Sequence, residues 1–142
     1  MVHRAAPSPV PRPSSPSLTL TVLPNRVPFF TLALPMERTA LVVLTTLSTE
    51  EQARTLVRAL VEARLIACGT LFSGAHSIYR WQGEVREEAE VVVLLKTVAS
   101  KWAALAAAIR ERHPYQMPEL LALPVKHSLD AYLSWLASEV AG

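Results

Sequence analysis

The sequence predicts an α+β fold of the ferredoxin-like, split βαβ kind, ordered β-α-β-β-α-β with an added C-terminal helix. Three observations predict it. Two-residue and helical hydrophobic periods follow one another in that order from Met36 onward. Gln82-Gly83 lies between two strand-like runs and signals a tight hairpin, with Gly83 supplying a positive φ. Arg112-His113-Pro114-Tyr115-Gln116-Met117-Pro118-Glu119 closes a helical pattern and opens into the apolar run 120–125. Its two prolines force the chain out of the helix at His113 and into extended structure.

Each element has a local reason. Residues 39–46 read as a strand, with Ala40, Val42 and Leu44 on one face and Leu41 and Val43 on the other. Ser48-Thr49-Glu50-Glu51 reads as a capping box in which the Ser48 hydroxyl caps and Glu51 reaches back. The helix that follows carries Ala53, Leu56, Val57, Leu60 and Ala63 on one face and ends near Arg64. A second strand, 66–71, is interrupted at Ser73-Gly74 and resumes over 77–81, with Tyr79 and Trp81 on one face. The return strand ends in the run 90–96. Ser100 is expected to cap a second helix with Trp102, Leu105 and Ile109 in register. The last strand is expected from about 119 to 125. Ser128 should then cap a third helix striped by Leu129, Tyr132, Leu133, Leu136 and Val140.

Composition divides the chain in two. Residues 1–35 hold eight of the eleven prolines, no Asp or Glu, and only Arg4, Arg12 and Arg26 as Lys or Arg. They read as a disordered or dispensable extension, with Met36 a candidate start and organellar targeting left open. Residues 36–142 make one domain of ordinary size. Taking those three arginines from the 14 basic residues leaves 11 against 12 acidic ones, so the domain is near neutral. That balance gives no support to nucleic-acid binding. No run approaches the roughly 20 apolar residues of a membrane span. A lone Cys68 excludes an internal disulfide and fits a reducing, cytoplasmic setting. Only four glycines are present, with no phosphate-cradling loop, nucleophile elbow or His-Glu-x-x-His, so no enzyme is proposed and no organic cofactor is expected.

Three strands are apolar on both faces, including Val92 and Leu94 against Val91, Val93 and Leu95, and Leu121 and Leu123 against Leu120 and Ala122. In a split βαβ plan both crossover helices lie on one side of the sheet, so its other side should alternate to polar in a monomer. It does not. At about 25 cal/mol per Å², leaving such a face in water favours association, and an obligate homo-oligomer is expected.

Several of these runs carry a family resemblance. Leu65-Ile66-Ala67-Cys68, Ser77-Ile78-Tyr79-Arg80-Trp81-Gln82-Gly83, the run 90–97, His113-Pro114-Tyr115-Gln116-Met117-Pro118-Glu119 and Tyr132-Leu133-Ser134-Trp135 resemble the CutA divalent-cation tolerance family over roughly residues 39–138. The resemblance implies a tight homotrimer similar to the PII signalling proteins, with the long hairpin reaching a neighbour, and a role in tolerance of copper and other divalent metals. Members credited with copper binding carry a cysteine at the position of Thr45 and a histidine at that of Arg112; this chain keeps only His113 of the trio. A guanidinium cannot ligate a cation and threonine is a poor copper ligand, so a weakly bound Cu²⁺ or other divalent cation is the expectation.

The candidate residues each admit two readings. His113 could cap the carbonyls ending its helix, or ligate metal with Glu119 across subunits. Glu119 could equally pair with Lys96 or Arg80. Cys68 is either a buried small hydrophobe or a remote metal ligand. Tyr79, Trp81, Tyr115 and Trp135 suit either interface packing or a ligand cage. Glu84, Glu87, Glu88 and Glu90 look like a solvated hairpin face, able at most to hold hard cations weakly. The alternative function is a PII-like sensor or interaction scaffold, whose inter-subunit cleft binds a small anionic ligand or a partner protein. There Arg80, Lys96 and Arg112 supply the positive side.

Overall fold

A computed structural model of the chain describes residues 38–142. The reading of residues 1–35 as an extension lies outside the described residues. The elements are β1 (Ala40–Leu47), α1 (Glu50–Glu62), β2 (Cys68–Trp81), β3 (Glu84–Val98), α2 (Trp102–Arg112), β4 (Leu121–Pro124) and α3 (Asp130–Val140). They form one antiparallel sheet in the order β2-β3-β1-β4, the split βαβ arrangement with a terminal helix.

The central pair is β1 with β3, in register from Ala40 opposite Val98 to Leu47 opposite Val91. Strand alternation sends Leu41, Val43, Leu47, Val91, Val93 and Leu95 to one face. There they are buried against Ala53, Leu56 and Leu60 of α1 and Leu105 and Ile109 of α2. On the opposite face, α3 covers one end, packing Leu136 and Val140 against Ala40, Ala67 and Val98. Beyond α3 that face is open. Val42, Leu44, Val92 and Leu94 are only partly buried there. Their cross-strand neighbours Phe72, Leu121 and Leu123 are 52%, 54% and 59% exposed.

The hairpin β2–β3 turns through two residues, Gln82 and Gly83, at φ 49° and 82°. Two successive positive φ values match the right-handed twist of the strands they join. The interruption expected at Ser73-Gly74 is a bulge, across which pairing shifts between Phe72 and Ala75. Helix α1 stops where Arg64 adopts φ 55°. The Arg64 and Leu65 amides then donate back to Val61 and Leu60 carbonyls at 3.0 Å each, closing the helix end.

Three caps differ from expectation. Thr49, not Ser48, caps α1, its hydroxyl accepting from the Gln52 amide at 3.2 Å. The Ser48 hydroxyl is held instead by Tyr115, 2.7 Å away. Ser100 lies within a 3₁₀ turn, Ala99–Lys101, and no side chain caps α2. Helix α3 begins two residues after Ser128, whose hydroxyl donates to the Leu129 carbonyl at 3.2 Å. The last strand starts later than 119: Leu121–Pro124 pairs with β1, and the Val125 amide then donates to the Ala40 carbonyl at 2.9 Å.

Gly69 lies directly against α1, since a Cβ there would stand 2.7 Å from Val57 Cγ1. Gly69→Ala is expected to destabilise by about 1–3 kcal/mol in urea titration, from overpacking. Adding Val57→Ala should recover part of that loss; a double variant no better than the single would refute the clash.

Candidate functional site

The side-chain chemistry gathers where the corner after α2 crosses the ends of β1 and β3. Helix α2 ends at Arg112, and Pro114 holds His113 in an extended conformation, φ −72° and ψ 134°. This turns the His113 ring inward, where it is 7% exposed. Its Nε2 lies 2.9 Å from the Thr46 carbonyl oxygen, while its Nδ1 accepts from the Tyr115 amide at 3.1 Å. These partners require a neutral ring with its proton on Nε2. The Thr45 hydroxyl stands 3.4 Å from the same nitrogen. The expected donation to the carbonyls ending α2 is therefore corrected: the imidazole ties the corner to β1.

Tyr115 extends the network. Its ring meets His113 edge-on at 4.9 Å and 61°. Its hydroxyl donates to Glu90 Oε1 at 3.1 Å, leaving the Ser48 hydroxyl to donate to it at 2.7 Å. Glu90 Oε2 accepts from the Ser77 hydroxyl at 2.5 Å. Ser77 on β2, Glu90 on β3, Tyr115 on the corner and Ser48 after β1 thus form one continuous chain of hydrogen bonds. Glu90 is 6% exposed, which corrects its assignment to a solvated acidic face. Among that group, Glu87 pairs with His76 at 3.4 Å and Glu84 with Arg86 at 3.7 Å, both near the hairpin tip.

Burial pushes the His113 pKa below the ordinary imidazole value; the Thr46 hydrogen bond and the Glu90 charge oppose that shift without overcoming it. Burial likewise raises the Tyr115 phenol, opposed by the Ser48 hydrogen bond and reinforced by Glu90. Both rings are held in their neutral forms.

The other candidates are dispersed. Lys96 donates to Thr70 Oγ1 at 2.5 Å and Arg80 to the Gly83 carbonyl at 3.1 Å, so the expected pairing of either with Glu119 is not formed. Cys68 is partly exposed rather than buried, its sulfur 3.8 Å from the Tyr132 hydroxyl. Trp135 is 41% exposed on α3 and packs beside Tyr132 with ring centroids 5.4 Å apart. Tyr79 and Trp81 lie partly buried along the hairpin. Arg112 turns to a cleft lined by α1. Among the described residues, no three His, Cys, Asp or Glu side chains converge to hold a metal ion. No described helix is long and apolar enough to cross a membrane.

Ser48, Ser77 and Glu90 were not expected as network members. A signal existed for Glu90, which stands two and four residues before Val92 and Leu94 and so shares their face.

Two measurements check this network. The unfolded chain's His113 has an ordinary pKa near 6.5 and the folded one a lower value, so the unfolded chain binds more protons between them. Stability present above about pH 6.5 is therefore lost as pH falls through the folded value. Thermal melts from pH 8 to 5 should show that loss, and His113→Gln should remove its part of it. Tyr115→Phe should cost about 1–3 kcal/mol in urea titration by leaving a Glu90 oxygen without its donor; an unchanged midpoint would refute the role given to the hydroxyl.

Known proteins share this architecture. A model of the family described as CutA1 divalent ion tolerance protein matches residues 41–139. The divalent-cation tolerance protein CutA of Thermus thermophilus is 47% identical over 95 residues, spanning 67% of this chain and 92% of that protein. An Escherichia coli protein of the same name is 46% identical over 98 residues, covering 69% and 88%. Among solved structures, the Thermus thermophilus Cut A1 protein superposes with a TM-score of 0.69 at 45% identity, covering 70% of this chain and 97% of that one. CutA from Synechococcus elongatus gives 0.71 at 38% identity, covering 73% and 92%. With the same order of elements and so long an aligned stretch, the chain belongs to the CutA1 divalent ion tolerance protein family.

Proposed function

We propose that the protein serves tolerance of copper and other divalent cations as a cytoplasmic homotrimer of PII-like architecture that binds metal weakly where subunits meet. The observation that carries this reading is the open sheet face. Phe72, Leu121 and Leu123 stand more than half exposed beside partly buried Val42, Leu44, Val92 and Leu94. A contiguous apolar surface of that kind favours cover by another protein surface, and a second and third copy provide it symmetrically. The hairpin tip adds Ile78 and Val85, 68% and 64% exposed, as a further apolar contact for a neighbour.

His113 and Glu119 are the metal candidates, with Cys68 more remote. Weak binding follows from the state of His113. Each ring nitrogen already has a backbone partner, and a cation would have to displace one of them, at about 1–3 kcal/mol for the group left unpaired. Glu119 makes no hydrogen bond or ion pair among the described residues and needs no such exchange. A second reading, a ligand sensor using the cleft between subunits, draws support from Lys96, which strand register places beside Val42 and Cys68 on the open face.

Light scattering at micromolar concentration should return a trimer, and a stable monomer would overturn the assembly. Calorimetry with Cu²⁺ and Zn²⁺ should show weak binding that His113→Ala and Glu119→Ala each reduce. Affinity unchanged from the unaltered chain in both variants would remove these residues as ligands.

A further inference from the structure

A cleft of about 440 Å³ lies on the helix side of the domain, between α1 and the end of α2. Its size falls in the range of small-molecule sites. The apolar lining is Leu47, Leu56, Ala59 and Pro114, and the polar lining is Glu51, Gln52, Thr55 and Arg112. Two features make it more than a groove between helices. Glu51 and Arg112 line it from different helices, and among the described residues neither forms an ion pair. The Gln52 amide oxygen, next to Glu51, is buried without a hydrogen-bond partner, the one such side-chain atom among the described residues.

An orphaned buried acceptor costs about 1–3 kcal/mol, a cost that a donor would relieve. The Gln52 side chain itself lines the cleft beside Glu51. The arrangement thus offers two acceptors, Glu51 and Gln52, at the start of α1, a guanidinium fork at the end of α2, and an apolar bed. The complement is a molecule with an ammonium group, a carboxylate and an aliphatic body. We propose that this cleft binds a free α-amino acid with a branched aliphatic side chain: its ammonium on Glu51 and Gln52, its carboxylate on Arg112, its side chain against Leu47, Leu56 and Ala59. The site needs neither a metal nor a second subunit, so loss of the His113 metal reading leaves it standing.

Calorimetry on the full chain with three probes tests it. L-leucine should bind saturably, whereas 4-methylpentanoate, which lacks the ammonium, and leucinamide, which lacks the carboxylate, should each bind about tenfold more weakly or worse. Glu51→Gln and Arg112→Gln should each weaken leucine by about tenfold, and Ala59→Trp should abolish it by filling the bed. These titrations are run without added metal, because leucine itself chelates Cu²⁺ and Zn²⁺ through its amine and carboxylate. Absence of saturable leucine binding to the unaltered chain overturns the proposal, as does a truncated probe that binds equally well. The probe comparison holds even if a variant fails to fold.

Discussion

The pairing of β1 with β3 is the constraint on which the rest of the molecule depends. Eight residues of β1 run in continuous register against β3, and all eight, on both faces, are Val, Leu, Ala or Thr. Such a pair requires cover on two sides. The chain supplies α1 and α2 for one side and only the C-terminal helix for the other. Where α3 ends, the cover ends, and apolar side chains that would be core elsewhere stand half in water. The edge strand β4 shows the consequence most clearly. Leu121 and Leu123 point to the uncovered face and are exposed, while Ala122 between them packs against the helix-side core. The short β4 is thus a strand whose burial one chain leaves incomplete.

At the opposite end of the sheet from α3 the demand is polar rather than apolar. The corner after α2 must cross the ends of β1 and β3, and Pro114 and Pro118 deprive it of two backbone donors. Side chains compensate. His113 anchors the corner to the Thr46 carbonyl, and Tyr115 bridges Glu90 to Ser48. Glu90 tolerates burial because both of its oxygens have donors, one from the corner and one from β2. Four separate chain segments are joined by this one chain of hydrogen bonds, so each member fixes the position of the next.

The repetitive features were legible in the sequence because they depend on near neighbours. Strand alternation, the apolar stripe of α1 and the Gln82-Gly83 turn are each set within a few residues. What failed to read correctly was decided by residues far away along the chain. Ser48 has the right spacing for a cap, but Tyr115, 67 residues on, claims its hydroxyl, and Thr49 takes the capping role. Glu90 sits among other glutamates and looks solvated until Tyr115 and Ser77, both distant in sequence, are seen to donate to its two carboxylate oxygens. Ser100 and Ser128 precede helical stripes, yet a 3₁₀ turn separates Ser100 from α2, and α3 starts beyond Ser128. Of the candidate site, the junction motif itself was legible; which atoms His113 and Tyr115 engage was not, since both partners lie on strands distant in sequence.

Thr45 and Arg112 stand where copper-credited members of the family are expected to carry thiol and imidazole, and the structure shows what they do here. Thr45 is fully buried and presents a hydroxyl 3.4 Å from the His113 ring, so this position lends the corner polarity without a soft ligand. Arg112 is exposed and lines the cleft above α1, while His113, one residue on, points into the protein. That divergence is imposed by the backbone: Arg112 is still helical and His113 already extended, so successive side chains leave in different directions. Adjacent residues at this corner therefore serve two different surfaces. The His113 ring pins the corner to the sheet, and the Arg112 guanidinium remains available on the helix side, where a metal ion would find no use for it and an anionic group would.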